Sequence, residues 1–549
     1  MRRTGGAGEA AVRGLASVRA RTAILAGNEW MTGSRMAAGK AGKKTKAKPS
    51  KVGGLLKKAR RALDDGAFEE LETLCGEVLG IEPDSTDALR LLIQAAFDRH
   101  QYSTATLYAS KLVQMCPEDA ASYNALAGVL ILRDRFDAAG AALREALRLD
   151  PNMRLALDNY ARVLQAEGRW EEATEILESL VAADPTSAKL WFSLAHSRHF
   201  PASESPRKDL EKVIKKGKFD LRDQGRLYFA LAKLHQDAGD IDRAFSAFER
   251  GNERQAEAIV AQVERVRKGA LRKSVAATEK VFTADWAEGI DDPEKSPRPL
   301  TLVLGPPRSG KSLLEGPLSG HSKVRHYGEL AVLQEVLSQL PKEVRDRYPL
   351  FVRELEQEGR AQLRARVDSM WGEARDESIR THLVTNPGNV FHVGTFMSLY
   401  PGTRVVFCER DPVENTMAIY MRWFAQRLPY AWAIDTIAEY VMLYRRLAAH
   451  WEGLFPDRVE RIRYEAMLED PDSNIAGVLS SHGLEWETEC ADAEGEVADP
   501  AKLGVSGSLG RRSRVNPAFA RIGEQYAAYR PAFERAVDVA RAKVFPASG

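Results

Sequence analysis

The chain has 549 residues, 44% of them hydrophobic and 28% charged, the balance of a soluble globular protein with room for two or three domains. No apolar run approaches the ~20 residues that span a bilayer. The four cysteines, Cys75, Cys116, Cys408 and Cys490, are scattered without C-x-x-C spacing, which argues against a disulfide framework or a zinc site and fits a reducing cytoplasm.

A net charge of +2 conceals an asymmetry. Residues 1–60 carry fifteen Lys or Arg against two acids, Glu9 and Glu29, which leaves 64 basic against 75 acidic residues in the remainder. Residues 1–52 lack sustained periodicity and end within the run KAGKKTKAKPSKVGG, so they read as a disordered, solvated leader. A basic tail can also meet nucleic acid or an anionic membrane, and an Arg-rich, acid-poor leader resembles a transit peptide. Met31 and Met36 offer later starts. The solvated leader is preferred, and nucleic acid is disfavoured as a partner.

Pro83, Pro117, Pro151 and Pro185 then recur every 34 residues, the period of the tetratricopeptide repeat, a helix–turn–helix unit. Apolar and small residues precede each proline at matching offsets: Tyr123, Leu126, Ala127, Leu130, Ala139, Leu143 and Ala146 in one unit, with Leu157, Tyr160, Ala161, Leu164, Ala173, Leu177 and Leu180 in the next. The alanines are expected where paired helices cross, and each proline where the second helix ends. In the first unit Leu71 and Cys75 depart from the pattern, as terminal units often do. An irregular fifth unit starts near Leu190, and a last helical pair covers Leu221 to Ala256. Residues 53–256 are thus a helical superhelix whose concave face suits a peptide or protein. Residues 257–298 read as one more helix and a linker, with Asp291, Asp292, Pro293 and Pro297 at the boundary.

Residues 299–549 have the pattern of an α/β domain with a parallel sheet. Leu302, Val303 and Leu304 read as a buried strand, Gly305 to Gly310 as a loop, and Lys311 to Leu318 as a helix. Backbone N–H groups at such a helix start lack intrahelical partners, and the dipole there favours anions. Arg308 and Lys311 add charge; Ser309 and Ser312 add hydroxyls. Gly305-x4-Gly310-Lys311-Ser312 satisfies the P-loop expression. Tyr327-Gly328-Glu329-Leu330 precedes an amphipathic helix, which puts Glu329 near its start, either as a general base on an acceptor hydroxyl or as a first-turn acid stabilised by the dipole. Residues 342–380 read as a charged helical lid or insertion. His382 to Asn386 reads as a strand, followed by a turn at Pro387-Gly388-Asn389. Arg404 to Cys408 reads as a second buried strand, with Arg410 where open parallel sheets bind ligands, able to grip phosphate or to form a surface salt bridge. Ile437, Tyr440, Val441, Tyr444 and Leu447 mark a long amphipathic helix with core contacts. Val459 to Tyr464 reads as another strand, and Gly504 to Arg514 as a basic Gly/Ser-rich loop, either closing over an anion or merely solvated.

The pieces AFSAFERGN, GPPRSGKSLLE, GEL, PGNVFHVG, ERDPVEN and RYEAMLEDP occur in an order that resembles the tetratricopeptide-repeat sulfotransferases, whose catalytic domain is similar to protein-tyrosine sulfotransferases. The resemblance runs from about residue 221 to the end. It implies the cofactor 3′-phosphoadenosine 5′-phosphosulfate (PAPS) and transfer of its sulfuryl group to an acceptor hydroxyl, with no metal. It implies that Arg308, Ser309, Gly310, Lys311 and Ser312 hold the 5′-phosphosulfate, with Gly305 and Pro307 also binding the cofactor. Glu329 matches the general base, Arg410 the ligand of the 3′-phosphate, and Tyr464 a tyrosine near the cofactor. Three positions depart from the family pattern. Val384-Thr385-Asn386-Pro387 stands where the family has D-K-x-P, Ala418 where it has a serine, and Lys311 where it has threonine. Lys311 is therefore expected to supply the charge missing at Thr385. Two other readings stay open: an ATP- or GTP-dependent kinase or NTPase, with Arg404 to Glu409 as its metal-holding strand, and a catalytically degenerate repeat scaffold.

Overall fold

The structure, a computed structural model, describes residues 51–98, 102–132, 135–290, 296, 298–329, 331–371, 378–424, 428–491 and 522–546. The basic leader up to residue 50, the boundary residues Asp291, Asp292, Pro293 and Pro297, Leu330 and the loop at 504–514 lie outside them. The described residues form two compact units, one ending at His199 and one starting at Phe200. None of their helices is long and apolar enough to cross a membrane.

The first unit is a run of helix pairs: α1 (Lys51–Asp64), α2 (Phe68–Ile81), α3 (Thr86–Asp98), α4 (Tyr102–Met115), α5 (Ala120–Leu132), α6 (Phe136–Leu149), α7 (Arg154–Ala166), α8 (Trp170–Ala183) and the short α9 (Ala188–Ala195). Lys51 and Val52, expected in the leader, already belong to α1. Helices α2, α4, α6 and α8 each stop two residues before a repeat proline. Proline lacks the N–H that would continue the ladder and disfavours helix in the residue before it. Ala127, Ala139, Ala161 and Ala173 are fully buried, and Ala127 and Ala139 share a core with Leu130, Leu143 and Ala156. Small side chains let helix axes approach, so Ala139→Leu is expected to cost about 1–3 kcal/mol by overpacking. Thermal melting followed by circular dichroism would read this as a lower transition temperature.

The second unit opens with α10 (Arg207–Lys216), α11 (Leu221–Asp237), α12 (Ile241–Ala258), α13 (Val260–Arg267), α14 (Ala270–Val281) and α15 (Ala284–Glu288), so three helices rather than one follow residue 257. The pair α11–α12 is built into this unit. A Cβ on Gly251 would sit 2.8 Å from the Phe229 ring, so glycine is what permits the close crossing. Asn252 Nδ2 donates to the Tyr420 carbonyl at 2.9 Å, and Phe245 stacks on Tyr529 with centroids 3.7 Å apart.

Five parallel strands follow: β1 (Leu300–Leu304), β2 (Val324–His326), β3 (Thr381–Val384), β4 (Arg404–Glu409) and β5 (Val459–Arg463), in the order β2-β3-β1-β4-β5. All five residues of β1 are buried, as a parallel strand covered on both faces requires. The chain fills the sheet on one side of β1 and then returns to the other. The reversal falls between β1 and β4, where such sheets bind ligands beyond their carboxyl ends. The intervening helices are α16 (Lys311–Gly320), α17 (Val332–Ser338), α18 (Lys342–Arg345), α19 (Leu350–Arg353), α20 (Gln357–Trp371), α21 (Val393–Leu399), α22 (Pro412–Tyr420) and α23 (Ile434–Leu454). After β5 come α24 (Tyr464–Glu469), α25 (Pro471–Ser481), α26 (Thr488–Ala491), α27 (Ile522–Gln525) and α28 (Arg530–Val544).

Several expectations shift. Helix α17 starts at Val332, so Glu329 lies in the turn before it, outside the first helical turn. Strand β3 ends at Val384, which leaves Thr385 and Asn386 in the loop. Helices α19 and α20 bury Phe351, Val352, Leu363, Val367 and Trp371, so this insertion is docked onto the domain. Helix α23 is not amphipathic along its first half: every residue from Thr436 to Tyr444 is buried. It runs through the centre, packed on α14, α22 and α28.

Candidate active site

The β1–α16 loop is shaped by two left-handed residues. Gly310 has φ 94° and a Cβ there would lie 2.5 Å from the Tyr464 ring, so no other residue fits. Arg308 has φ 66°, a conformation that costs energy in a non-glycine residue and that clusters at ligand sites. A Cβ on Gly305 would meet the Cys408 carbonyl at 2.6 Å, so the loop can lie tight on the end of β4. Asn415 Nδ2 from α22 donates to the Pro307 carbonyl at 2.8 Å and holds the loop from the other side.

Two arginines meet at this loop, and the charge of a third reaches it. Arg410, 4% exposed, leaves the end of β4, lies 4.6 Å over the Tyr464 ring and points Nη1 at the Arg308 carbonyl, 3.5 Å away. Its Nη2 is 3.5 Å from Glu414. Arg422, just past α22, is the third. Desolvation, then the Arg422 and Arg410 charges, push the Arg308 guanidinium down to about 10; burial lowers Arg422 as well. Like charges held together in a partly desolvated cradle favour an anion between them. The Ser309 hydroxyl, 1% exposed, has no hydrogen-bond partner among the described residues. A buried hydroxyl without a partner calls for a water, an ion or a bound group to meet it.

Lys311 begins α16 and is 7% exposed. Its Nζ donates to the Thr385 carbonyl at 3.2 Å and lies 3.3 Å from Glu329 Oε1. The turn that holds Glu329 is tied down by Asn386, whose Nδ2 donates to the Glu329 carbonyl at 3.0 Å. Deeper in, Glu315 accepts from Thr385 Oγ1 at 3.1 Å and faces His326 Nε2 at 2.8 Å. The carboxylate of Glu329 stays 42% exposed, open to an incoming substrate.

The structure therefore brings together Gly305, Pro307, Arg308, Ser309, Gly310, Lys311, Glu329, Arg410 and Tyr464. Ser312 is exposed on α16. Sequence reasoning missed Arg422, which belongs to no motif, and Tyr444, which accepts from the Gly305 N–H at 2.9 Å. PGNVFHVG proves to be scaffold: Trp451 Nε1 donates to the Val390 carbonyl and the Tyr348 hydroxyl bonds His392. The strand offered above as metal-holding ends in Glu409, which pairs with Arg445 and Arg461 at 3.3 and 3.2 Å.

Residues 299–488 match the sulfotransferase family, and residues 130–195 match the tetratricopeptide repeat. An uncharacterised protein of Aquifex aeolicus is 26% identical over 372 residues, which cover 65% of this chain and 47% of that protein; the chain spans about half the length of this curated relative. Among solved structures, MamA matches with 16% identity and a TM-score of 0.25, over 38% of this chain and 92% of its own. Pseudomonas aeruginosa pilF matches with 18% identity and a TM-score of 0.31, over 36% and 88%. YrrB, described as a tetratricopeptide-repeat protein with an unusual peptide-binding site, has 16% identity and a TM-score of 0.25, over 35% and 89%. Along the chain a match to the tetratricopeptide repeat is thus followed by a match to the sulfotransferase family.

Proposed function

We propose that the domain transfers a sulfuryl group from PAPS to an acceptor hydroxyl, a protein tyrosine being one candidate beside a glycan or a small metabolite, with the repeats recruiting the acceptor or a partner protein. The observation that carries this reading is Lys311 lying between Glu329 and the Thr385 carbonyl. An acid open to solvent, a buried ammonium and a group of arginines then lie around one loop. The residues present fit the cofactor: the orphan Ser309 hydroxyl, the α16 N-terminus and the Arg308–Arg410–Arg422 group are donors for an anion with charge at two ends. Bound PAPS would supply an activated sulfuryl group on a phosphate leaving group.

Within that reading Arg308, Ser309 and Lys311 hold the 5′ end, and Arg410, stacked on Tyr464, holds the 3′-phosphate with Arg422 beside it. Glu329 takes the acceptor's proton; its exposed carboxylate is the group an incoming hydroxyl would meet. Lys311, buried beside that carboxylate, would offer a fixed positive charge to the negative charge that builds on the leaving group. The kinase or NTPase reading is weaker, because Glu409 is already bound by two arginines. Isothermal titration calorimetry of the full chain against PAP, PAPS and MgATP tests the choice. Micromolar binding of PAP and PAPS without metal is the expected result. Binding of MgATP alone supports the NTPase, and binding of none leaves the repeat scaffold.

A further inference from the structure

The Tyr444 hydroxyl sits where two parts of the site meet. It accepts from the Gly305 N–H at 2.9 Å and donates to the Pro387 carbonyl at 3.0 Å. Gly305 is the first residue of the cofactor loop. Pro387 belongs to the turn in which Asn386 accepts from the Gly388 N–H at 2.8 Å and, through Nδ2, holds the Glu329 carbonyl at 3.0 Å. Tyr444 is 3% exposed and its ring meets Tyr440 edge-on at 5.8 Å. Tyr440 in turn stacks on Tyr430 with centroids 3.7 Å apart and planes 8° from parallel. Tyr440 and Tyr444 stand on the central helix α23, where every residue from Thr436 to Tyr444 is buried, so their position is set by packing rather than by the loop.

We propose that Tyr444 is a positioning residue: its hydroxyl struts the cofactor loop against the turn that carries Glu329, and so fixes the distance between the 5′-phosphosulfate grip and the base. The inference rests on the sulfotransferase reading above. Burial raises the Tyr444 phenol well above its ordinary value, with smaller contributions from Tyr440, Cys408 and Glu329. The hydroxyl therefore stays protonated at neutral pH and keeps its donor for the Pro387 carbonyl. The Gly305 N–H thus depends on the Tyr444 hydroxyl, and a buried backbone donor left unmet is costly. Without the strut the loop would relax toward a new partner, and the 5′ grip would loosen while the Arg410 side stayed in place.

The test is Tyr444→Phe, with Tyr440→Phe as the control from the same buried column. Calorimetry with three nucleotides separates the two ends of the site. Tyr444→Phe is expected to weaken PAP and adenosine 5′-phosphosulfate by about tenfold and to leave adenosine 3′-monophosphate within about twofold. Tyr440→Phe should change none of the three. Equal loss for all three nucleotides, or equal loss in both variants, means a general packing defect and overturns the strut. Hydrogen exchange of the nucleotide-free protein gives a second readout: the Gly305 amide should lose protection in Tyr444→Phe alone, and unchanged protection sinks the proposal without touching the sulfotransferase reading. If the unsubstituted chain binds none of the nucleotides, the sulfotransferase reading falls and the proposed role falls with it.

Discussion

Glu329→Gln is expected to slow PAPS turnover by roughly 10²–10⁴-fold, the span for loss of a positioned base, while PAP binds at least as tightly as before. Glutamine keeps the size of the side chain and can still accept from Lys311, 3.3 Å away, but it cannot take up a proton. Removing the carboxylate also frees the Lys311 ammonium to face an anionic nucleotide undivided. PAP release from PAPS in the presence of a phenolic acceptor, with calorimetry of PAP alongside, separates the two effects. A loss of turnover below tenfold removes Glu329 from the chemistry. A collapse of PAP affinity instead makes it a structural residue.

Lys311→Ala is expected to lower turnover by about 10²–10³-fold, or roughly 2.7–4 kcal/mol of transition-state stabilisation, and to weaken PAP as well. The second arm is a relocation. Lys311 reaches the backbone of Thr385, with 3.2 Å from Nζ to the carbonyl, and residue 385 is where the resembled family carries its lysine. Lys311→Ala combined with Thr385→Lys should recover at least tenfold of the lost rate. Equal turnover by Lys311→Ala and the parent chain rules out the charge transfer between positions. Loss without recovery leaves Lys311 as a cofactor ligand only.

What the sequence made legible was local. Strand β1, its loop and Arg410 at the end of β4 stand in contiguous letters whose apolar run, glycines and cations point one way. The repeat helices were legible because four prolines keep a strict period. What escaped depends on contacts between distant segments. Arg422 carries no motif and enters the site only because its charge, carried just past α22, acts on Arg308. Tyr444 matched an apolar stripe, and the sequence could not say that its hydroxyl meets Gly305 across 139 residues. Glu329 was expected at a helix start, but α17 begins at Val332, and the dipole explanation for the acid goes with that. The spacing in α11 and α12 showed helices and could not show that Asn252 ties them to Tyr420.

That last tie bears on how the carboxy-terminal half could be excised for expression. Trimming at the apparent linker near residue 257 would strip α11 and α12 and bare a continuous aromatic surface: Tyr420, Trp423, Trp432, Tyr526, Tyr529 and Phe533 all contact rings borne by Phe229, Phe245 or Phe248. An uncovered patch of that kind drives precipitation. A truncation that begins at Phe200 retains the cover and is the fragment to clone.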